Sequence, residues 1–208
     1  MGDYNIVTLT ANPALDKSTR FKGLVPEQKI RCESPRYDAG GGGINVSKAI
    51  ARLGGQSFCV FTSGGPIGTM LEQLVHKESI PFKAIPTQSW TRESFVAVDE
   101  NTNSQYRFGF SGDQITDEEK ETIYQSIQEL QPKYLVLSGS LNEGLATDFY
   151  KIIAEKVKPF DTKIIVDTSG EALQKTLETG VYLVKPNVGE LAKLIGVEKL
   201  EMEEVEAA

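Results

Sequence analysis

The chain has 208 residues, 39% apolar and 25% charged, a balance that fits a packed globular domain and excludes a disordered chain. Its formal net charge of −7 argues against a nucleic-acid platform or a basic membrane face. A few Lys and Arg can still build a local anion site inside an acidic protein. Apolar runs such as Tyr134 to Leu137 are too short to span a bilayer, and the N-terminal MGDYNIVTLT lacks the basic and apolar regions of a secretory signal. Cys32 and Cys59 lie far apart in strand-like contexts, which reads as a reduced cytoplasmic protein with buried thiols.

Taken in order, Asn5 to Thr10 reads as a strand, and Ile44 to Leu53 has helical spacing ended by Gly54-Gly55. Ser57 to Thr62 is a strand, followed by a helix near Thr69 to Glu78 that closes before Pro81. Thr116-Asp-Glu-Glu119 is a capping box for a helix running to about Leu130. Strand Tyr134 to Ser138, a helix over Ala146 to Val157 and strand Lys163 to Asp167 come next. A short helix over Glu171 to Leu177, strand Val181 to Lys185 and a helix from Val188 complete the series. This alternation predicts an α/β fold with a mostly parallel central sheet between helices. Two stretches break the rhythm, Lys17 to Glu33 and Glu93 to Phe110. Both are strand-like with no helical pattern beside them, and they predict a small antiparallel β layer off the main sheet. Residues 201–208 carry Met202, Val205 and Ala208 at helical spacing and then stop, which reads as a helix cut in progress.

Open parallel sheets bind ligands at the carboxyl ends of their strands. Four of those ends are small or polar here: Thr10 to Asp16, Ser138 to Ser140, Asp167 to Gly170, and Lys185 to Asn187. Gly40-Gly-Gly-Gly43 lets backbone approach a ligand closely, and Ile44-Asn45 then opens a helix whose free N–H groups favour an anion or a polyol oxygen. Asp16, in a loop leaving the first strand, either accepts from sugar hydroxyls or serves a turn. Arg92, Lys29, Arg31 and Arg107 are either phosphate partners or solvated surface charge. Asn187 and Glu190 either cap a helix reciprocally or hold the waters of a Mg²⁺ ion. The only histidine, His76, lies in a helix far from every glycine loop, which disfavours a Ser-His-Asp hydrolase. No GxxxxGK[ST] and no strand-borne GxGxxG occurs.

Several segments together resemble the ribokinase-type sugar kinases, in the phosphofructokinase B branch of 6-phosphofructokinase, 1-phosphofructokinase and tagatose-6-phosphate kinase. They are Leu-Thr-Ala-Asn-Pro-Ala-Leu-Asp16, Gly40-Gly-Gly-Gly-Ile-Asn45, Trp90-Thr-Arg92, Gln105-Tyr-Arg-Phe108, Ser138-Gly-Ser140, Val166-Asp-Thr-Ser-Gly-Glu-Ala-Leu173 and Leu183-Val-Lys-Pro-Asn-x-x-Glu190. The resemblance spans the chain and is strongest to the 6-phosphofructokinase members. It implies a ribokinase-like three-layer sandwich, of which residues 1–208 form the N-terminal part, with 17–33 and 93–110 as a β lid. It implies ATP and Mg²⁺ as cofactors, and fructose 6-phosphate or a related ketohexose phosphate as substrate. Asp16, Gly41, Gly42, Gly43 and Asn45 would hold sugar hydroxyls, and Arg92 and Ser140 would fix the substrate, with Arg92 near its phosphate. Lys29 and Arg31 would sit on the lid, Arg31 reaching a neighbouring subunit, which implies a homodimer. Lys185 and Asn187 would contact nucleotide, Glu190 would hold Mg²⁺ through water, and Lys185 and Asn187 also match a second, inhibitory MgATP mode. Val25, where a relative carries an aromatic lid residue, puts that mode in doubt.

The family's Gly-Ala-Gly-Asp base motif does not occur in these residues, so the base is expected beyond Ala208 and the chain alone is expected to be inactive. A non-catalytic sugar-phosphate-binding fragment is the alternative of another class.

Overall fold

The computed structural model describes residues 4–206. In chain order the strands and helices are β1 (Ile6–Thr10), β2 (Ala14–Phe21), β3 (Arg36–Gly40), α1 (Gly42–Arg52), β4 (Phe58–Ser63), α2 (Gly65–Lys77), β5 (Phe82–Pro86), β6 (Arg92–Asp99) and β7 (Ser104–Gly109). The series continues with α3 (Asp117–Leu130), β8 (Tyr134–Ser138), α4 (Phe149–Val157), β9 (Lys163–Asp167), α5 (Gly170–Leu177), β10 (Leu183–Val184) and α6 (Val188–Leu194).

The main sheet has the order β10-β9-β8-β1-β4-β5, and all of its pairings are parallel. Strands such as β4, buried along its whole length, read as continuous β-branched and aromatic runs because helices cover both faces. Alternation sends Phe58 and Val60 into the core shared with α3, α4 and α5, and Cys59 and Phe61 into the core under α1 and α2. Burial pushes the Cys59 thiol up to about 11, so it stays protonated. Cys32, by contrast, is exposed, because its segment makes only an isolated bridge to Phe21.

Chain direction reverses across the sheet between β1 and β8. From β1 the chain builds outward through β4 and β5, and it then returns to the other side of β1. A crevice therefore opens at the carboxyl ends of those two strands.

The second sheet has the order β3-β2-β6-β7. It is mixed, not antiparallel as expected, because β2 and β6 run parallel with Ala14 opposite Arg92 and Asp16 opposite Ser94. β2 begins at Ala14, so Asp16 is a strand residue and not part of a loop. Residues 22–31 form no strand. β3 and β5 went unread in the sequence, since the charged Arg36-Tyr-Asp38 and the proline-flanked Phe82 to Pro86 hide their alternation.

Other boundaries move for local reasons. Helix α1 starts two residues early, at Gly42, inside the glycine run, and α2 starts at Gly65 with Pro66 in its first turn, where a missing N–H costs nothing. Helix α4 starts at Phe149, three residues late, with Asp148 at its N-cap. β10 shrinks to two residues. The Met202–Glu204 segment is a single 3₁₀ turn opened by a Glu201–Glu204 capping box; Ala208 lies outside the described residues. Among the described residues, no helix is long and apolar enough to cross a membrane.

Candidate active site

The crevice is built first by the seating of α1. Gly41 adopts φ 129°, a value L side chains rarely reach, which turns the chain from β3 into the helix. A Cβ on Gly43 would come within 2.7 Å of the Leu9 carbonyl and Thr10 Oγ1, so only glycine lets the helix start against the end of β1. Thr10 Oγ1 accepts from the Ile44 amide at 3.1 Å, and Asn45 N–H donates to Gly41 O at 2.9 Å. Among the described residues the Gly42 and Gly43 amides are left without an acceptor, whereas those of Ile44 and Asn45 are satisfied, so the positive end of the helix stands at the end of β1. Asn45 is exposed on the first turn.

Asp16 stands half-buried on β2, its carboxylate against Gly40, where a side chain would overlap it. Asp38 faces it from β3 in register and is itself held by Arg36 Nε at 2.9 Å. Arg92, first residue of β6, donates from Nε to Asn12 Oδ1 at 3.0 Å, from Nη1 to Phe110 O at 3.2 Å and from Nη2 to Asn12 O at 3.4 Å. Asn12 Nδ2 in turn donates to Ser140 Oγ and to Leu141 O, each at 3.3 Å. Asn12 therefore ties Arg92 to the end of β8. Burial pushes the Asp16 carboxyl above the ordinary carboxylate range, an effect that the charges of Arg92 and Lys48 offset only in part. Burial likewise lowers Arg92, against the attraction of Asp16. Two half-desolvated charges of opposite sign thus face the same rim, an arrangement typical of a binding site.

A second group lies beside it. Ser138 Oγ donates to Asp167 Oδ2 at 3.3 Å, and Asp167 Oδ1 pairs with Lys185 Nζ at 3.0 Å. Asn187 Oδ1 accepts from the Glu190 amide at 2.9 Å while Glu190 Oε2 accepts from the Asn187 amide at 2.8 Å, a reciprocal cap of α6. Both residues also line a cleft of about 500 Å³ with Ser169, Gln174 and Lys193. The cap occupies Oε2 and leaves Oε1 without a partner among the described residues, which fits a hydrated Mg²⁺ held through water beside phosphates.

The structure thus gathers Asp16, Gly41, Gly42, Gly43, Arg92 and Ser140 at one crevice, with Lys185, Asn187 and Glu190 at the neighbouring strand ends; it places the Asn45 side chain, exposed on α1, in none of these contacts. Lys29 and Arg31 stand apart, exposed, lining a separate cleft of about 540 Å³ on the second sheet with Arg20, Lys22 and Glu100. Sequence reasoning missed three contributors. Asn12 is the junction between Arg92 and Ser140, and its place directly after β1 was the available signal. Lys48 sits under the glycine turn. Asn142 lines the Arg92 pocket, and its Oδ1 is buried with no partner among the described residues.

The family profile of the pfkB family carbohydrate kinases matches residues 9–208. The ATP-dependent 6-phosphofructokinase isozyme 2 of Mycobacterium tuberculosis (strain CDC 1551 / Oshkosh) is 42% identical over 213 residues, covering 100% of this chain and 62% of the relative. The isozyme 2 of Escherichia coli (strain K12) is 36% identical over 98% of this chain and 66% of its own length. The crystal structure of phosphofructokinase-2 from Escherichia coli in complex with fructose-6-phosphate superposes with a TM-score of 0.92 at 35% identity, over 98% of this chain and 68% of that one. The chain therefore spans about two-thirds of the length of these relatives, 62% of the first. With its glycine-seated helix and its polar crevice at the turning point of a parallel sheet, the chain belongs to the pfkB family of carbohydrate kinases.

Proposed function

We propose that the protein transfers phosphate from ATP to a ketohexose phosphate, fructose 6-phosphate giving fructose 1,6-bisphosphate. The observation that carries this reading is the pairing of Asp16 and Arg92 at one rim. A carboxylate accepts from sugar hydroxyls, and a guanidinium braced at three points presents a fork suited to a phosphate already on the sugar. The Gly42 and Gly43 amides add a donor pair, and Asn142 Oδ1, without a partner among the described residues, adds an acceptor for further hydroxyls. Ser140, on the Asn12 bridge, closes the far side.

ATP and Mg²⁺ are assigned to the neighbouring strand ends, where Lys185, Asn187 and Glu190 would hold them. When bound, the metal neutralises charge on the phosphates in transfer. The residues of this chain orient the sugar, fix its phosphate and keep the cleft polar. The Gly-Ala-Gly-Asp base motif is absent from the 208 residues, so this chain alone is proposed to bind the sugar phosphate without turning it over. The second sheet is assigned as a lid that pairs two copies, with Lys29 and Arg31 on it serving the neighbouring copy, and the protein is assigned to the cytoplasm.

A coupled ADP-release assay of the full gene product tests the substrate. The expected outcome is the highest kcat/KM with fructose 6-phosphate. A preference for fructose 1-phosphate or tagatose 6-phosphate would assign the other branch members' reaction instead.

A further inference from the structure

Lys48 lies on the second turn of α1 and is only 9% exposed. Lysines are almost never buried to that degree without a counter-charge, because desolvating an ammonium is costly. Yet Lys48 makes no ion pair among the described residues. Its ammonium donates to the carbonyl of Ala39 at 2.9 Å, on the strand residue directly before Gly40. Packing alone would be served as well or better by a methionine of similar length. The fold therefore does not account for the charge, and its surroundings do.

We propose that Lys48 is a positioning residue of the sugar site: it fastens the end of β3 beneath the glycine turn and supplies a positive charge behind Asp16. This inference rests on the reading of Asp16 as the acceptor of sugar hydroxyls. The elements packed around Asp16 present Asp38 from β3 with Arg36 beyond it, Ser94 and Arg92 from β6, and Lys48 from α1. Arg92 is committed to Asn12 and Phe110 O and, in the proposed complex, to the sugar's phosphate. Asp38 pushes Asp16 toward its neutral form. Lys48 is then the cation that no ligand diverts, and its tether to Ala39 O holds Gly40 against the carboxylate it supports.

The test is the pH dependence of fructose 6-phosphate binding to this chain, read from the fluorescence of Trp90. Trp90 is the only tryptophan and lines the Arg92 pocket. Lys48→Gln keeps a donor for Ala39 O and removes the charge; Lys48→Arg restores both. Lys48→Gln is expected to bind about tenfold or more weakly at mildly acidic pH and to lose binding at higher pH than the parent, with Lys48→Arg close to the parent. A uniform weakening in Lys48→Gln with an unmoved acid limb, or parent-like binding, would overturn the inference. Should Lys48→Gln not fold by circular dichroism, the acid limb of Lys48→Arg carries the test, since an unbroken charge leaves it in place and a displaced limb sinks the idea. Asp16→Asn separates the two layers. Parent-like binding there would overturn the sugar-site reading and this inference with it, whereas lost binding there beside an unmoved limb in Lys48→Gln removes Lys48 alone.

Discussion

Asp16 and Arg92 are held half out of water on adjacent strands, and neither is matched as well as a purely structural pair would be. The balance on Asp16 already includes the attraction of Arg92 and Lys48, and burial still outweighs it. Its folded pKa is raised above the ordinary carboxylate value of about 3.9, so the folded state binds its proton more tightly than the unfolded chain does. Asp16 therefore adds most to stability below that value, and the contribution is lost as pH rises through the raised folded value. At neutral pH the ionised carboxylate is a net cost to the fold. The expected outcome for Asp16→Asn is a higher melting temperature than the parent at pH 7, with the gap closing near pH 3.5–4, and no sugar-phosphate binding. Equal melting temperatures across that range would show that the carboxylate carries no such cost. At this scale the sequence was readable where a residue type has few uses: an arginine after Trp-Thr, and an aspartate near a strand end. It was unreadable where the role depends on a partner brought from afar. Asn12 reaches Arg92 across 80 residues and Ser140 across 128; its place directly after β1 marks it as a rim residue but names neither partner.

At the scale of elements, α1 and the second sheet carry the site between them. The helix brings two amides and Lys48, while β2 and β6 bring Asp16 and Arg92. The alternation of strands and helices made the main sheet legible, because a buried parallel strand leaves a continuous apolar run and an amphipathic helix leaves a stripe. The second sheet was legible only as strand-like segments. The parallel β2–β6 pairing joins stretches some 78 residues apart by register, which no local pattern records. Phe108 on β7 is exposed and stacked on Phe95, and Leu24 and Val25 after β2 and Phe110 after β7 are exposed as well. Exposed large apolar side chains on and beside a sheet are the kind of surface that pairs with a second copy. If the proposed pairing of two copies runs through this sheet, Phe108→Asp is expected to sediment as a monomer where the parent sediments as a dimer, with the far-ultraviolet circular dichroism unchanged. A parent that sediments as a monomer, or a variant that stays dimeric, would place the interface elsewhere.

For the molecule as a whole, the order β10-β9-β8-β1-β4-β5 decides where chemistry can occur, since only between β1 and β8 do the connections part and leave a crevice. The four polar strand ends read from the sequence do meet on this rim. They fall into two groups, one around Asn12 and Arg92 and one around Asp167 and Lys185, joined through Ser138. In the proposed complex the first group takes the sugar phosphate and the second the nucleotide. The first group is proposed to recognise a phosphorylated ketohexose, and Trp90, which lines the same pocket as Arg92, is the fluorescent probe for it. Titrating this chain with fructose 6-phosphate and with unphosphorylated fructose, in the parent and in Arg92→Ala, is the most direct measurement. Saturable binding of fructose 6-phosphate and much weaker binding of fructose are expected. Arg92→Ala is expected to lose about 1.5–3 kcal/mol for the phosphorylated sugar, the worth of a charge-assisted contact. Equal binding of the two sugars, or an Arg92→Ala variant that binds fructose 6-phosphate as the parent does, would contradict that recognition.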